Sequence, residues 1–370
     1  MAKPAISAVI DAYNQERFVE QAIASVLQQG LSPAEMEVIV VDDGSVDRTP
    51  EIVRKFEPRV QLICKANGGQ ASAFNSGIAR ARADIVAFLD ADDWWANGKI
   101  RAVLEAFEQN REIAAVGHGY FEVLDDTLTG EMLVPQKNTV VDLSSVTAAR
   151  IADPARMLLG TSRLAVRRSV LRRLGQIPTE LVYAADTPIF MFALALGGAL
   201  ILDQPLCYYR LHSPTYERPT TSNAKKCQDY HHRFVKARDY ELTKFLMGML
   251  PQRLSELGVT QEVIAAFFES DRLEMERYEL QRDGGGRWRT FKAEVRGFQA
   301  SYKNSTAGYK LFKNLIGLLA LVLPPQRFYD LRYWYSRQSA MHSLRGLFGR
   351  AEPVVPNSLF QRRPVTIDHK

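Results

Sequence analysis

The chain has 370 residues and a formal net charge of +5, with 46% hydrophobic and 24% charged residues, values ordinary for a globular protein of one large domain with an extension, or of two domains. Three widely spaced cysteines, Cys64, Cys207 and Cys227, exclude a disulfide framework and a cysteine-based zinc site. The amino terminus lacks a signal-peptide apolar region and no window is apolar for the length of a bilayer span, so a cytoplasmic protein is expected.

The first 120 residues alternate strand-like and helix-like segments. Ala5–Asp11 is an apolar, β-branched run. Asn14–Gln29 follows, with Phe18, Val19, Ala22, Ile23, Val26 and Leu27 on one helical face and Gly30 as its stop. Glu37–Val41 is a second buried strand, ending in Asp42-Asp43-Gly44-Ser45, after which Ser45 or Asp47 caps a helix reaching about Phe56. Val60–Cys64 is a short third strand, Gln70–Ala83 a helix of small residues, and Ile85–Leu89 a fourth strand. This alternation predicts an α/β fold, a Rossmann-like, mainly parallel sheet with helices on both faces. Residues 113–212 are less regular, with strands at Val116–Val123 and Leu200–Tyr209 and helices at Ala148–Leu159, Arg168–Leu174 and Pro188–Leu196. Beyond about Pro219 the pattern changes to long amphipathic helices, including Lys225–Met249 and Gln261–Arg282, with Gly284-Gly285-Gly286 as a hinge or loop. The division expected is residues 1–215 for the α/β domain, 216–350 for a mostly α-helical C-terminal extension and 351–370 for an irregular tail.

Asp90-Ala91-Asp92-Asp93 carries the most chemistry. It follows the buried run Ile85–Leu89 directly, and carboxylates crowded at the end of a buried strand resist desolvation unless a cation joins them. A hard divalent ion, Mn²⁺ or Mg²⁺, is the partner expected, bridging to a phosphate-bearing substrate. The bland alternative is an acidic turn closing a strand. Ligands in open α/β sheets sit at the carboxyl ends of the strands, and three of the four strands end in polar loops, at Asp11–Asn14, Asp42–Ser45 and Asp90–Asp93, which favours the metal. A carboxylate at Asp42 or Asp43 accepts hydrogen bonds from a nucleobase or ribose, or else closes an Asx-turn. Asn67-Gly68-Gly69-Gln70 offers backbone N–H groups and close approach to a ribose or base, or simply turns the chain into the next helix. Neither a Walker A pattern nor G-x-G-x-x-G follows the first strand, which disfavours P-loop NTPases and NAD enzymes.

Ser7-Ala-Val-Ile-Asp-Ala-Tyr-Asn14, Val40-Val-Asp-Asp-Gly-Ser-Val-Asp47, Asn67-Gly-Gly-Gln-Ala-Ser-Ala-Phe-Asn75 and Phe88-Leu-Asp-Ala-Asp-Asp-Trp-Trp95, taken as a set, resemble the family 2 glycosyltransferases of GT-A fold. The resemblance is close over residues 5–100 and looser to about residue 215, which makes 1–100 the nucleotide-sugar half and 101–215 the acceptor half. It implies a metal-dependent, inverting transfer of a sugar from a nucleotide-diphospho-sugar to an acceptor hydroxyl, in bacterial surface polysaccharide or glycolipid synthesis. By the same resemblance Ala12, Tyr13, Asn14 and Asp42 or Asp43 contact the donor nucleoside, and Asn67 and Gly69 lie along its ribose or base. Asp90 and Ala91 also belong to the donor site, and Asp92 addresses the metal. Tyr183–Phe190 matches the place of the family's general base, with Asp186 alone where an acidic pair is usual. The other role open to Asp186 is a helix N-cap ahead of Thr187-Pro188. Tyr208-Tyr-Arg-Leu-His212 resembles the family's closing element, which makes His212 a further metal ligand, or sets Arg210 and His212 against the leaving diphosphate. Two rival readings stand beside this one. A sugar nucleotidyltransferase wants a basic loop near the first strand, where only Arg17 is found; a non-catalytic nucleotide-sugar binding or scaffold protein needs no base.

Residues 271–350 hold 15 Lys and Arg against 7 Asp and Glu, a balance suited to acidic headgroups, nucleic acid, anionic polysaccharide or plain solvent. Leu311–Pro325 is apolar, too short to span a bilayer, and followed by the aromatic, basic Arg327–Arg337. The pair reads as an interfacial membrane anchor, or as a core helix packed on the catalytic domain or a partner subunit. The partners expected are a UDP-sugar foremost among donors, a saccharide or lipid-linked acceptor and the cytoplasmic face of the membrane, without nucleic acid.

Overall fold

The apolar runs without helical period become the strands β1 (Ile6–Ala12), β2 (Met36–Asp42), β3 (Val60–Cys64) and β4 (Ile85–Asp90). The computed structural model describes residues 3–124, 126–211, 236–302, 307–337 and 360–364, which fall into two compact units. In the first, β3-β2-β1-β4 form a parallel block. The register sets Asp11 beside Asp90 and Ala12 beside Asp42, so three strands deliver their polar ends to one edge. α1 (Val19–Leu27) buries Val19, Ala22, Ile23 and Val26, the predicted stripe. α2 (Thr49–Arg54) follows β2, and α3 (Gly69–Arg80) lies tight over β1. A Cβ at Gly77 would meet Val9 Cγ1 at 2.4 Å, which accounts for the small residues of that helix.

The less regular middle of the chain builds the antiparallel part of the sheet. β9 (Ala165–Arg167) runs antiparallel between β4 and β6 (Ala115–Leu124), and β6 pairs onward with β7 (Thr127–Pro135). β10 (Ala199–Leu211) lies parallel to β6 and takes β5 (Trp94–Trp95) and β8 (Thr139–Val141) as antiparallel neighbours. Phe360–Pro364, inside the tail expected to be irregular, is instead an edge strand, β11, antiparallel to β7. α4 (Lys99–Gln109), α5 (Val146–Ala155), α6 (Arg168–Leu174) and α7 (Asp186–Leu196) complete this unit. The result is an α/β fold whose sheet is parallel where it carries the acidic strand ends.

Beneath β1 and β2 lies a buried polar network. The Glu37 carboxylate accepts from Ser7 Oγ (2.6 Å), Arg82 N (2.6 Å) and Arg82 Nε (2.8 Å). Burial alone would raise its pKa, but these hydrogen bonds outweigh it and hold it below the usual glutamate value. A lowered folded-state pKa means stability that is present above the unfolded value and lost as pH falls through the folded one. Glu37→Ala is therefore expected to cost about 2–3 kcal/mol at pH 7, because buried donors lose their acceptor. In urea titrations the deficit relative to wild type should shrink below about pH 4, near the ordinary glutamate pKa. A deficit constant with pH would remove the carboxylate from this role.

The second unit is helical. It takes most of α8 (Lys236–Glu256) with α9 (Gln261–Phe267), α10 (Glu269–Asp283), α11 (Arg287–Tyr302), α12 (Ala307–Val322) and α13 (Pro325–Arg337). The single helix expected over Gln261–Arg282 is broken at Phe268, and Pro325 stands at the first position of α13, after α12 has ended at Val322. Leu280, Ala293, Ala320, Phe328 and Tyr329 form its core, with Phe291 and Leu323 against it. Among the described residues no helix is long and apolar enough to cross a membrane. The expected boundary at residue 215, the helix start at Lys225, His212 and most of residues 338–370 lie outside the described residues.

Candidate active site

The acidic edge of the parallel block is tied together loop by loop. Asn14, at φ +52°, donates its N–H to Ser45 Oγ (2.9 Å) and accepts at Oδ1 from Val46 N (2.9 Å), so it joins the β1 loop to the β2 loop. Ala12 is buried and its carbonyl accepts from Asp43 N (2.8 Å), while Tyr13 beside it is 48% exposed.

Asp42 and Asp43, inseparable by sequence, part company here. Asp43 is buried, pairs with Lys65 Nζ (2.5 Å), and accepts from Gly68 N (3.1 Å) and Gly69 N (2.7 Å). Its carboxylate holds the 65–69 loop. Asp42 is equally buried, at the end of β2, with Oδ1 lacking a hydrogen-bond partner. The backbone amides expected to face a ribose or base are also engaged. Gly68 and Gly69 donate to Asp43, and Gln70 N and Ala71 N donate to Val182 O (2.9 Å) and Leu181 O (3.2 Å). Gly69 sits at φ +80°, where a Cβ would meet Val182 Cα at 2.7 Å, so glycine is required for close approach within the protein. Asn67 is exposed.

Asp90 ends β4, and Ala91 N–H donates to Asp11 O (3.1 Å). The Asp90 carboxylate accepts from Gln70 Nε2 (2.9 Å) and, more distantly, from Ser162 Oγ (3.4 Å). Burial and then the charge of Asp11 raise its pKa well above the usual value, and burial and then Asp92 raise Asp11 in turn. Asp93 is buried, accepts from Arg210 N (2.8 Å), and is raised by burial and by Asp92. Arg210, weighed as a diphosphate ligand, is a clamp on this turn. Its Nε donates to Asp92 O (2.8 Å), its Nη2 to Gln21 Oε1 (2.8 Å), and its Nη1 pairs with Asp126, while its plane lies against the Phe18 and Trp94 rings.

Asp186 opens α7, preceded by Ala184 at φ +56°. The N-cap position is held by Ala185, so Asp186 stands at the first helical position and does not serve as the N-cap. Its carboxylate instead accepts from Thr161 N (2.7 Å) and Thr161 Oγ1 (3.1 Å). Burial raises its pKa, against the lowering effect of the Thr161 bonds. Sequence reasoning missed Thr161, Ser162 and the side-chain role of Gln70. Lys99 also escaped it: fully buried, it donates to Ser162 O (2.7 Å) with its ammonium over the Trp95 ring (4.1 Å), and burial lowers its pKa to about 7.

The arrangement of sheet and helices is of GT-A type. S. aureus TarS shares it, with a TM-score of 0.50 at 19% identity over 83% of this chain and 57% of that one, a likeness of fold. Residues 7–174 match the model of glycosyl transferase family 2. It is 34% identical over 214 residues to an uncharacterised glycosyltransferase of Nostoc sp., across 56% of this chain and 65% of that protein. It is 32% identical over 213 residues to the uncharacterised glycosyltransferase EpsJ of Bacillus subtilis, across 56% and 61%. The chain thus matches a little under two thirds of the length of these curated relatives.

Proposed function

We propose that the protein transfers a sugar from a nucleotide-diphospho-sugar, a UDP-sugar foremost, to an acceptor hydroxyl with inversion at the anomeric carbon. The observation that carries this reading is the in-register delivery of Asp42, Asp11 and Asp90 to one sheet edge, with Asp186 bonded into the same network through Thr161. Tyr13, Asp42 and Asn67 line the nucleoside side. Asp186 takes the acceptor proton as general base, and Thr161 fixes the carboxylate that receives it. Asp43 and Asn14 act by holding the loops.

A divalent ion, Mn²⁺ or Mg²⁺, fits the chemistry of this edge. Asp11 Oδ1, Asp42 Oδ1 and Asp93 Oδ2 are buried without hydrogen-bond partners, and burial, followed by the charge of Asp92 on Asp11 and of Asp11 on Asp90, raises the Asp11 and Asp90 carboxyls, a strain that a cation relieves. Among the described residues no three Asp, Glu, His or Cys side chains form a closed ligand set. One or two carboxylates with phosphate oxygens and water suit these ions. Asp92, with Asp90 beside it, would hold the ion, whose bound chemistry is to screen charge on the leaving diphosphate. Release of UDP from a panel of UDP-sugars tests the reading; no release from any of them, with Mn²⁺ or with Mg²⁺, would contradict it. Of the rivals, the nucleotidyltransferase loses support because Arg17 faces Asp126 (3.8 Å) and the Phe18 ring.

The acceptor reading is a saccharide or lipid-linked acceptor of a surface polysaccharide or glycolipid, met at the cytoplasmic face of the membrane. Its support is α12, which packs Ala320 into the helical core while Leu311, Leu315, Leu318, Leu319 and Val322 stay 40–67% exposed. These positions repeat at helical spacing in a segment with Lys310 and Lys313 and no acidic residue, the pattern of an interfacial helix on anionic lipid. Wild-type protein is expected to sediment with vesicles containing anionic lipid, and Leu315→Glu with Leu318→Glu to abolish this at unchanged melting temperature. A wild type that stays in the supernatant would sink the idea.

A further inference from the structure

Gln70 is half-buried near the start of α3, and both ends of its side-chain amide are in use. Nε2 donates to Asp90 Oδ1 at 2.9 Å and reaches Thr161 Oγ1 at 3.5 Å, while Oε1 accepts from Ala185 N–H at 3.0 Å. The orientation of the amide follows from Ala185, because a backbone N–H only donates and so faces Oε1, which leaves Nε2 toward Asp90. Its own backbone N–H is anchored on Val182 O (2.9 Å). Gln70 therefore spans from the end of β4 to the residue immediately before Asp186. Thr161 and Ser162 close the ring from the other side, one on Asp186 and the other on Asp90.

We propose that Gln70 is a positioning residue, which sets the Asp186 carboxylate relative to the donor diphosphate by tying Ala185 to Asp90. The inference rests on Asp186 as the base. A primary amide is the side chain suited to this span, since it offers a donor and an acceptor on one rigid plane. Glutamate keeps the Ala185 bond but turns a second charge on Asp90, and methionine keeps the volume with neither bond. Ala184, in the left-handed region, adds a reason for the tie: a backbone held off its preferred conformation beside Asp186 needs outside bonds to keep it there.

The test uses the full chain and release of UDP, with water as acceptor, from the UDP-sugar that the wild type turns over fastest. Gln70→Met and Gln70→Glu are each measured alone and combined with Asp186→Asn, alongside UDP affinity and melting temperature. Each single Gln70 variant is expected to lower kcat about 10–100-fold, as a misplaced catalytic group does, with KM and UDP affinity within threefold and melting temperature nearly unchanged. Each double variant is expected to be no slower than Asp186→Asn alone. The proposal is overturned by a kcat within twofold of wild type in both Gln70 variants, by losses that multiply with that of Asp186→Asn, or by a rise in KM at constant kcat. Full turnover in Asp186→Asn overturns the base assignment and this inference with it, whereas loss in Asp186→Asn beside unaffected Gln70 variants overturns this inference alone.

Discussion

Asp186→Asn is expected to lower turnover about 10²–10⁴-fold, the range that a positioned general base contributes, while UDP binding stays within a factor of about three. The substitution is nearly isosteric and leaves an oxygen to accept from Thr161 N–H, so the entry to α7 should persist. What it removes is the ability to take the acceptor proton. The wild-type pH profile should carry the same signature. Burial raises the Asp186 carboxyl above 3.8, so its deprotonated form, and turnover with it, is lost on acidification above the ordinary aspartate range. Turnover is accordingly expected to rise with pH through that raised value and then level off. A variant that binds UDP and transfers normally would mean that the proton leaves by another route.

Asp92→Ala is expected to lower turnover about 10²–10³-fold, the scale of removing one preorganised charge-stabilising contact, and treatment with EDTA should do the same to wild type. Asp92 sits in a turn whose backbone is held independently, through Arg210 Nε on the Asp92 carbonyl (2.8 Å), so the fold should survive the loss of the carboxylate. Asp93 supplies the control. It is buried and accepts from Arg210 N (2.8 Å), so Asp93→Ala, which leaves that N–H without its acceptor, should act mainly on stability, by about 1–3 kcal/mol. Equal turnover losses at Asp92 and Asp93, with equal melting temperatures, would contradict this division of labour.

The first 90 residues were legible because buried parallel strands are written as uninterrupted apolar runs, and their ends as abrupt charge. Ile85–Leu89 followed by Asp90 needs no partner to be recognised. In the antiparallel part the strand expected at Val116–Val123 is β6, but β9 with three residues and β5 with two are too short for any period to show. β10 was found, although its pairing with β6 shifts register around Pro205 and breaks the alternation. Within the site, Asp42 and Asp43 look alike in a row of letters and differ only in what the 65–69 loop brings to them. Thr161 and Ser162 stand in a three-residue 3-10 turn, and their roles come from the end of β4 at Asp90 and the start of α7 at Asp186, which fold against them. A lysine at position 99 reads as surface charge, yet it is enclosed by Trp95 and the Ser162 carbonyl. Such roles belong to tertiary pairing, which leaves no local trace.

The central claim is that this carboxylate edge binds a nucleotide diphosphate together with a divalent ion. The most direct measurement is the melting temperature of wild type and Asp92→Ala with UDP, with Mn²⁺, and with both. Wild type is expected to be stabilised by UDP and Mn²⁺ together, by about 2.7 kcal/mol when UDP is at 100 times its Kd, and much less by either alone, with the joint effect lost in Asp92→Ala. No joint stabilisation in wild type, or the same stabilisation in Asp92→Ala, would contradict the claim.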